Sequence, residues 1–314
     1  MLAAGGRLFQ YGLGLQILSF CCDVRKKDGT GLKTSGKYNN EERNKMANIN
    51  FSHVADVYEK TALVQKSASN VLRDLLDIKN DEDVLDLGCG PGNITREVAL
   101  ATRGRVVGVD VAPGMIEGAR RGEAGSVKLS FAVRDAYELG FDSEFDIIIC
   151  NSAFQWFSSP DEVLRQCQLA LKKGGRMGIQ APATSNYCPN FVAAEKKIRC
   201  DPVTGPVFAG YASPWFFQES AADYAQLFKR NGFKVRHSEI VLEETNYSVE
   251  QVFKIYQSGA ENGYLNQLNY QEPLTQEYIE TFRSLVRQTI EEQADENGMV
   301  TLVFYRIYLL AEKK

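Results

Sequence analysis

Three glycines at alternate positions after a short apolar run constrain this chain more than any other feature. In Val84-Leu-Asp-Leu-Gly-Cys-Gly-Pro-Gly-Asn93, residues Val84, Leu85 and Leu87 read as a buried β-strand. Gly88, Gly90 and Gly92 read as a turn, and Asn93-Ile-Thr-Arg-Glu-Val-Ala-Leu-Ala101 as the start of a helix. Glycine lets the backbone bend sharply and lets a ligand approach it closely. The spacing is G-x-G-x-G, not the G-x-G-x-x-G that seats a dinucleotide pyrophosphate on a helix N-terminus. Asp86, two places before the first glycine, would repel phosphate and attract a cationic amine.

The following segments keep the same rhythm. Arg105-Val-Val-Gly-Val-Asp110 reads as a second strand ending in an acid, twenty-two residues after Gly88 and within the range for bonding ribose hydroxyls. Val127 to Val133 reads as a third strand, followed by Arg134-Asp135-Ala136, where an aspartate can accept a hydrogen bond from an adenine amino group. Phe145 to Cys150 is a fourth, ending in Asn151. Helical stretches at 93–101, 113–121 and 160–172 alternate with these strands. Such βαβ repetition predicts a doubly wound sheet with ligands at the carboxyl ends of its strands, where Asp86, Asp110 and Asp135 fall.

From about Phe51 to the C-terminus the chain resembles the class I S-adenosylmethionine (SAM)-dependent methyltransferases. The resemblance implies an α/β fold, a doubly wound seven-stranded Rossmann-like sheet whose last strand is antiparallel. Thr301 to Leu310 would be that strand, lying between the fifth (Arg176 to Ala181) and the sixth (Phe233 to Leu242). It also implies SAM as cofactor, held by Tyr58, Asp86, Gly88, Gly90, Gly92, Asp110, Val111, Met115, Asp135, Ala136 and Asn151. The aminocarboxypropyl end of SAM carries the amine that Asp86 would attract.

The expected layout is a leader at 1–45, a SAM-binding core at 46–182 and a cap insertion at 183–220. Core at 221–245, cap helices at 246–297 and a final core strand at 298–314 complete it. The first 45 residues hold eight Lys/Arg against four Asp/Glu, with many glycines and no helical period. Disorder is expected there, and Met46-Ala47 is a candidate start. Leu8 to Cys22 is apolar but too short to span a bilayer. The insertions, carrying Tyr187, Phe191, Phe208, Tyr211, Trp215, Phe216 and Phe217, are expected to form an α-helical cap, most of the aromatics filling its core.

Composition narrows the chemistry. Seven cysteines show no C-x-x-C pair, and there are only two histidines, His53 and His237, so no metal site is expected. The thiols fit a reducing cytoplasm. A net charge of −4 without a long basic block argues against nucleic acid, and no membrane span is expected.

Two constellations bear on the methyl acceptor. Tyr58 and Gln65, seven apart, share one face if that stretch is helical; alone they equally fit an amphipathic helix. Asn151-Ser-Ala-Phe-Gln-Trp156 follows the fourth strand; Trp156 brings an indole N–H and Gln155 an amide, or Trp156 is simply core. Together they resemble carboxyl methyltransferases, including the trans-aconitate and malonyl–acyl-carrier-protein enzymes. That resemblance implies that Tyr58 covers the cofactor, and that Gln65 and Trp156, with Gln155 beside them, hold an acceptor carboxylate. A carboxylate is ionised at neutral pH and needs no general base. Expected partners are a small di- or tricarboxylic acid, free or carried on an acyl carrier protein. Tyr187, Tyr211 and Arg199 are candidates for a second substrate carboxyl, and Lys196, Lys197 and Arg199 for a carrier landing patch, against a plain solvated face. An amine or hydroxyl acceptor is the alternative, a hydroxyl needing a base for which His237 is the one candidate in the catalytic part. A non-catalytic SAM-fold binding protein is the third reading.

Overall fold

In the computed structural model, which describes residues 63–121 and 128–314, the run Val84–Leu87 is strand β1 and all four of its residues are buried. Burial on both faces is what a near-continuous apolar run encodes in a parallel sheet. The other strands are β2 (Val106–Asp110), β3 (Leu129–Val133), β4 (Phe145–Asn151), β5 (Leu171–Pro182), β6 (Phe233–Ser248) and β7 (Met299–Lys313). They form one sheet in the order β3-β2-β1-β4-β5-β7-β6. Pairing is parallel from β3 through β5, while β7 runs antiparallel to both β5 and β6.

The helices are α1 (Leu63–Leu76), α2 (Asn93–Ala101), α3 (Pro113–Arg121), α4 (Pro160–Ala170), α5 (Pro189–Cys200), α6 (Gly205–Phe208), α7 (Ala221–Arg230), α8 (Val249–Ser258), α9 (Glu261–Tyr264) and α10 (Gln276–Glu291). Local signals set their starts. Pro160 opens α4 after Ser159, with Asp161 and Glu162 in the first turn facing the positive helix end. Ser220 caps α7, Ser248 and Gln251 form a reciprocal capping box on α8, and Thr275 caps α10.

Alternation along the strands sends apolar side chains to both faces. Val84, Val106, Ile147 and Ile149 pack with Leu72, Leu76, Val98 and Ile116 of α1, α2 and α3. Leu85, Leu87, Ile148, Met177, Ile179 and Leu309 pack on the other face with Val163 and Leu164 of α4 and Leu227 and Phe228 of α7. A third core, rich in aromatics, joins α5, α6 and α8 to α10.

The seven-stranded order and the antiparallel last strand match the expectation. Several boundaries differ from it. β6 runs to Ser248 and β7 begins at Met299, so their paired ends, Tyr247↔Val300 and Thr245↔Leu302, rise beyond the sheet's carboxyl edge. Val300, Leu302 and Phe304 belong to the aromatic core, so the cap stands on sheet as well as on helices. Helix α4 ends at Ala170, because Leu171 already adopts extended backbone and opens β5. The leader, Met46, the Phe51–Tyr58 opening with His53 and Tyr58, and Val127 lie outside the described residues.

Candidate active site

Four strand ends converge on one edge of the sheet. Asp86 is the third residue of β1, on the face covered by α2, where Thr95 Oγ1 donates to its Oδ2 at 2.7 Å. It is 2% exposed. Burial pushes its pKa up to about 7; the Thr95 bond opposes the rise and the Asp110 carboxylate adds to it. Among the described residues no lysine or arginine pairs with it. Gly88 and Cys89 then donate their N–H groups to Val109 O, which folds the turn back over β2.

The glycines differ in what they leave open. Gly88 has φ +76°, and a Cβ there would stand 2.4 Å from Ala153 Cβ. Gly92 (φ +80°) would meet the Phe131 ring at 2.6 Å. Gly90 (φ +55°) faces open space, with nothing within 4 Å. The first and third therefore serve packing, and the middle one clears an approach to the backbone.

Asp110 at the end of β2 is engaged through both oxygens. Oδ2 accepts from Gly90 N–H and Oδ1 from Ala112 N–H, each at 2.9 Å. Burial raises its pKa and these bonds oppose the rise. Val111 is half-buried beside it, and Met115 is buried on α3. Asp135 follows β3, with Oδ1 accepting from Tyr137 N–H, and Ala136 is buried next to it.

Beyond β4, Asn151 is buried and the chain turns through Ser152, a non-glycine residue at φ +55°. Thr184, just after β5, is left-handed too (φ +68°). Such backbone costs free energy and persists where surrounding bonds fix it; Ser152 N–H donates to Gln180 O at 2.7 Å. In the short turn at 154–156 the core aromatic is Phe154, fully buried, whereas Trp156 is half-buried and meets Trp215 edge-on at 5.9 Å. Gln155 spends its amide donor on Ser152 O at 2.9 Å, and its Oε1 is buried without a partner. Position 65 lies in α1, one turn before buried Ser69 and two before Leu72.

A chain of polar groups that the sequence reading missed runs from this turn into β7. With the Gln180 amide assigned to satisfy its neighbours, it donates to Asn151 Oδ1 and Ser152 Oγ at 3.0 Å and accepts from Arg306 Nη1 at 2.9 Å. Arg306 is 3% exposed, lies over the Phe304 ring, and pairs with Glu243 through Nε at 2.9 Å. Tyr308 donates its hydroxyl to the same carboxylate. The available signal was an arginine inside the apolar run Thr301–Leu310.

Other expected residues fall elsewhere. His237 sits on the edge strand β6, in the same sheet row as Asp86 but four strands away through Ile149, Gly178 and Leu310. Arg199 is exposed, pairs with Glu195 at 3.3 Å and covers the Phe208 ring. Lys197 pairs with Glu292. Phe216 packs against the sheet core beside Phe154 instead of inside the cap. Tyr187, Phe191 and Phe208 are buried in the cap, with Tyr211, Trp215 and Phe217 against them. No group of metal-ligating side chains and no helix long and apolar enough to cross a membrane occurs among the described residues.

A buried carboxylate with no cation among the described residues, a left-handed glycine facing open space, and two further acids at adjacent strand ends fit a ligand that brings an ammonium, a ribose and an adenine. The methyltransferase domain family matches residues 78–232. The chain belongs to the class I SAM-dependent methyltransferases, and SAM is its cofactor. It is 26% identical over 278 residues to a malonyl-[acyl-carrier protein] O-methyltransferase of Acetivibrio thermocellus, covering 86% of this chain and 94% of that one. It is 35% identical over 133 residues to the enzyme of the same name from Brevibacillus brevis, covering 40% of this chain and only about half (48%) of the relative. Among solved structures, the YcgJ protein of Bacillus subtilis aligns with a TM-score of 0.52 at 19% identity, over 79% of this chain and 99% of its own. At that identity the likeness concerns the fold.

Proposed function

We propose that this methyltransferase transfers the methyl group of SAM to a carboxylate oxygen of a small di- or tricarboxylic acid, either free or carried on an acyl carrier protein. The observation that carries this reading is the makeup of the Asn151–Trp156 turn. It offers neutral hydrogen-bonding groups and no described histidine or lysine that could act as a base, and His237 lies four strands away from Asp86. A carboxylate is the oxygen nucleophile that needs none. The names of the two malonyl-carrier relatives point the same way.

When bound, SAM supplies an electrophilic methyl on a sulfonium. Asp86 would hold its ammonium, the Gly88–Gly92 turn its aminocarboxypropyl chain, and Asp110 and Asp135 its ribose and adenine, with Val111, Met115, Ala136 and Asn151 lining the cleft and Tyr58 covering it. Gln65 and the Trp156 indole would orient the acceptor carboxylate without the strong charge pairing of an arginine. Transfer cancels a positive against a negative charge, so excluding water helps it, and alignment at near-attack distance supplies much of the rest. A cytoplasmic location is proposed with this reading.

The test is methyl transfer from labelled SAM to trans-aconitate and to malonyl–carrier protein, side by side, in wild type and Trp156→Phe. Turnover of one acid, reduced about 100-fold in the variant, is expected from losing a positioning contact. Tight SAM binding with no turnover of either acid would refute the carboxylate reading and turn the search to amine and hydroxyl acceptors.

A further inference from the structure

Arg96, the fourth residue of α2, is half-buried and reaches back to the glycine turn that precedes its own helix. Its Nη1 donates to Pro91 O at 3.1 Å and to Asn93 Oδ1 at 3.2 Å. Its Nη2 donates to Ala119 O at 2.7 Å, in the last turn of α3. One planar, forked guanidinium thus bonds both segments at once. Ala119 O is among the last carbonyls of its helix, where a cation also meets the negative helix end. Among the described residues no other hydrogen bond joins the stretch 88–96 to α3. The guanidinium lies over the Phe131 ring, 5.8 Å from its centroid. Gly92 is fitted between the same two neighbours: a Cβ there would strike that ring at 2.6 Å and stand 3.2 Å from Ala119 Cβ. Arg120 of α3 holds Phe131 in turn, its Nε and Nη2 donating to Phe131 O at 3.2 and 2.7 Å. Arg96 Nε is buried without a partner. The side chain therefore sits there at a cost in unmet hydrogen bonding, and what it secures is the link between turn and helix.

We infer that Arg96 is a positioning residue for SAM, a brace that keeps the glycine turn at a set distance from α3. The inference rests on the cofactor placement given above and not on the identity of the methyl acceptor. In that placement the turn takes the aminocarboxypropyl end, while Asp110, Val111 and Met115, at the end of β2 and on α3, take the nucleoside end. Beside the sheet the two sides are tied by Gly90 N–H on Asp110 and by Gly88 and Cys89 N–H on Val109 O. Arg96 adds a separate tie from Pro91 to Ala119. A fixed spacing matters only to a ligand that spans both sides. Such a ligand binds more tightly when the site is ordered beforehand, because less ordering is left to be done on binding. A ligand that occupies the nucleoside side alone gains nothing from the brace.

Calorimetric titration of S-adenosylhomocysteine and of adenosine into wild type, Arg96→Met and Arg96→Lys tests this, with a melting curve recorded for each protein. S-adenosylhomocysteine should bind about tenfold more weakly to Arg96→Met, with adenosine affinity unchanged within about twofold. Arg96→Lys should lie between, because an ammonium can reach one of the carbonyls but lacks the fork. Should Arg96→Met fail to fold, the ratio of the two affinities in Arg96→Lys decides. Equal losses for both ligands would mark a general loosening of the fold and overturn the inference, as would unchanged S-adenosylhomocysteine affinity in both variants. Equal wild-type affinity for adenosine and S-adenosylhomocysteine would overturn the cofactor placement and the brace with it. A wild-type preference for S-adenosylhomocysteine that ignores Arg96 would overturn the brace alone.

Discussion

Acidification should loosen SAM from this protein through one carboxyl group. Asp86 is buried, has no lysine or arginine partner among the described residues, and is poised at about 7. Only its ionised form attracts the ligand's ammonium. With that pKa about 90% is ionised at pH 8 and about 10% at pH 6, so affinity should fall about tenfold across the interval. Binding should also displace the proton: about 0.9 proton released per ligand at pH 6 and about 0.1 at pH 8 from this group. Titration with S-adenosylhomocysteine in buffers of different ionisation enthalpy reads both quantities, and it avoids chemistry because that ligand keeps the ammonium but lacks the methyl. The ligand's own amine loses its proton at higher pH, so affinity should pass through a maximum instead of rising indefinitely. The same group bears on stability. Folding raises the Asp86 pKa, so the native apo protein binds its proton more tightly than the unfolded chain. Its contribution is most favourable below about pH 4 and declines as pH rises to about 7. The full span is worth about 4 kcal/mol at about 1.4 kcal/mol per pH unit. Asp86→Asn should therefore raise the melting temperature of the apo protein at pH 8 while losing the ligand. Affinity that is flat from pH 6 to 8 with no proton release would refute the reasoning.

The glycine turn separates packing from binding. Gly88→Ala should destabilise the fold by about 3 kcal/mol in urea denaturation, because it adds a left-handed penalty to a 2.4 Å overlap with Ala153. Gly90→Ala should cost only about 1–2 kcal/mol, since its Cβ meets nothing, yet weaken SAM binding at least tenfold by occupying the approach; equal effects of the two on calorimetric affinity and stability would contradict this. Arg306→Met should destabilise by about 3 kcal/mol, because it takes the cation from half-buried Glu243 and a donor from the fully buried Gln180 carbonyl oxygen. The double variant Arg306→Met with Glu243→Gln should recover part of that loss in the same denaturation experiment.

What was legible in the sequence was what local patterning encodes. Val84–Leu87 is a strand because four apolar-compatible positions end at glycines that cannot continue it, and Asp86 is conspicuous as a charge in that run. The same logic placed Asp110 and Asp135 at strand ends. Pairing across long separations was harder. Nothing local says that Gln180 meets Arg306, because their meeting depends on the register of β5 against β7, where Gln180 pairs with Tyr308 and Pro182 with Arg306. Trp156 drew attention as a rare donor, yet the buried ring of that turn is Phe154, a choice set by which face of a three-residue helical turn meets α7. The outward position of Arg199 follows from its i,i+4 pairing with Glu195, which spacing could have suggested.

The lengths of β6 and β7 connect these observations. A sheet that stopped at Leu242 and Thr301 would leave the cap as a separate helical layer hinged on loops. Instead β7 carries Phe304 into the cap core and Arg306 into the Gln180–Glu243 chain two residues later, so successive same-face residues of one strand serve two layers. A shift of the cap that moved Phe304 would also strain Arg306, and through Gln180 the bonds to Asn151 and to the left-handed Ser152 after β4.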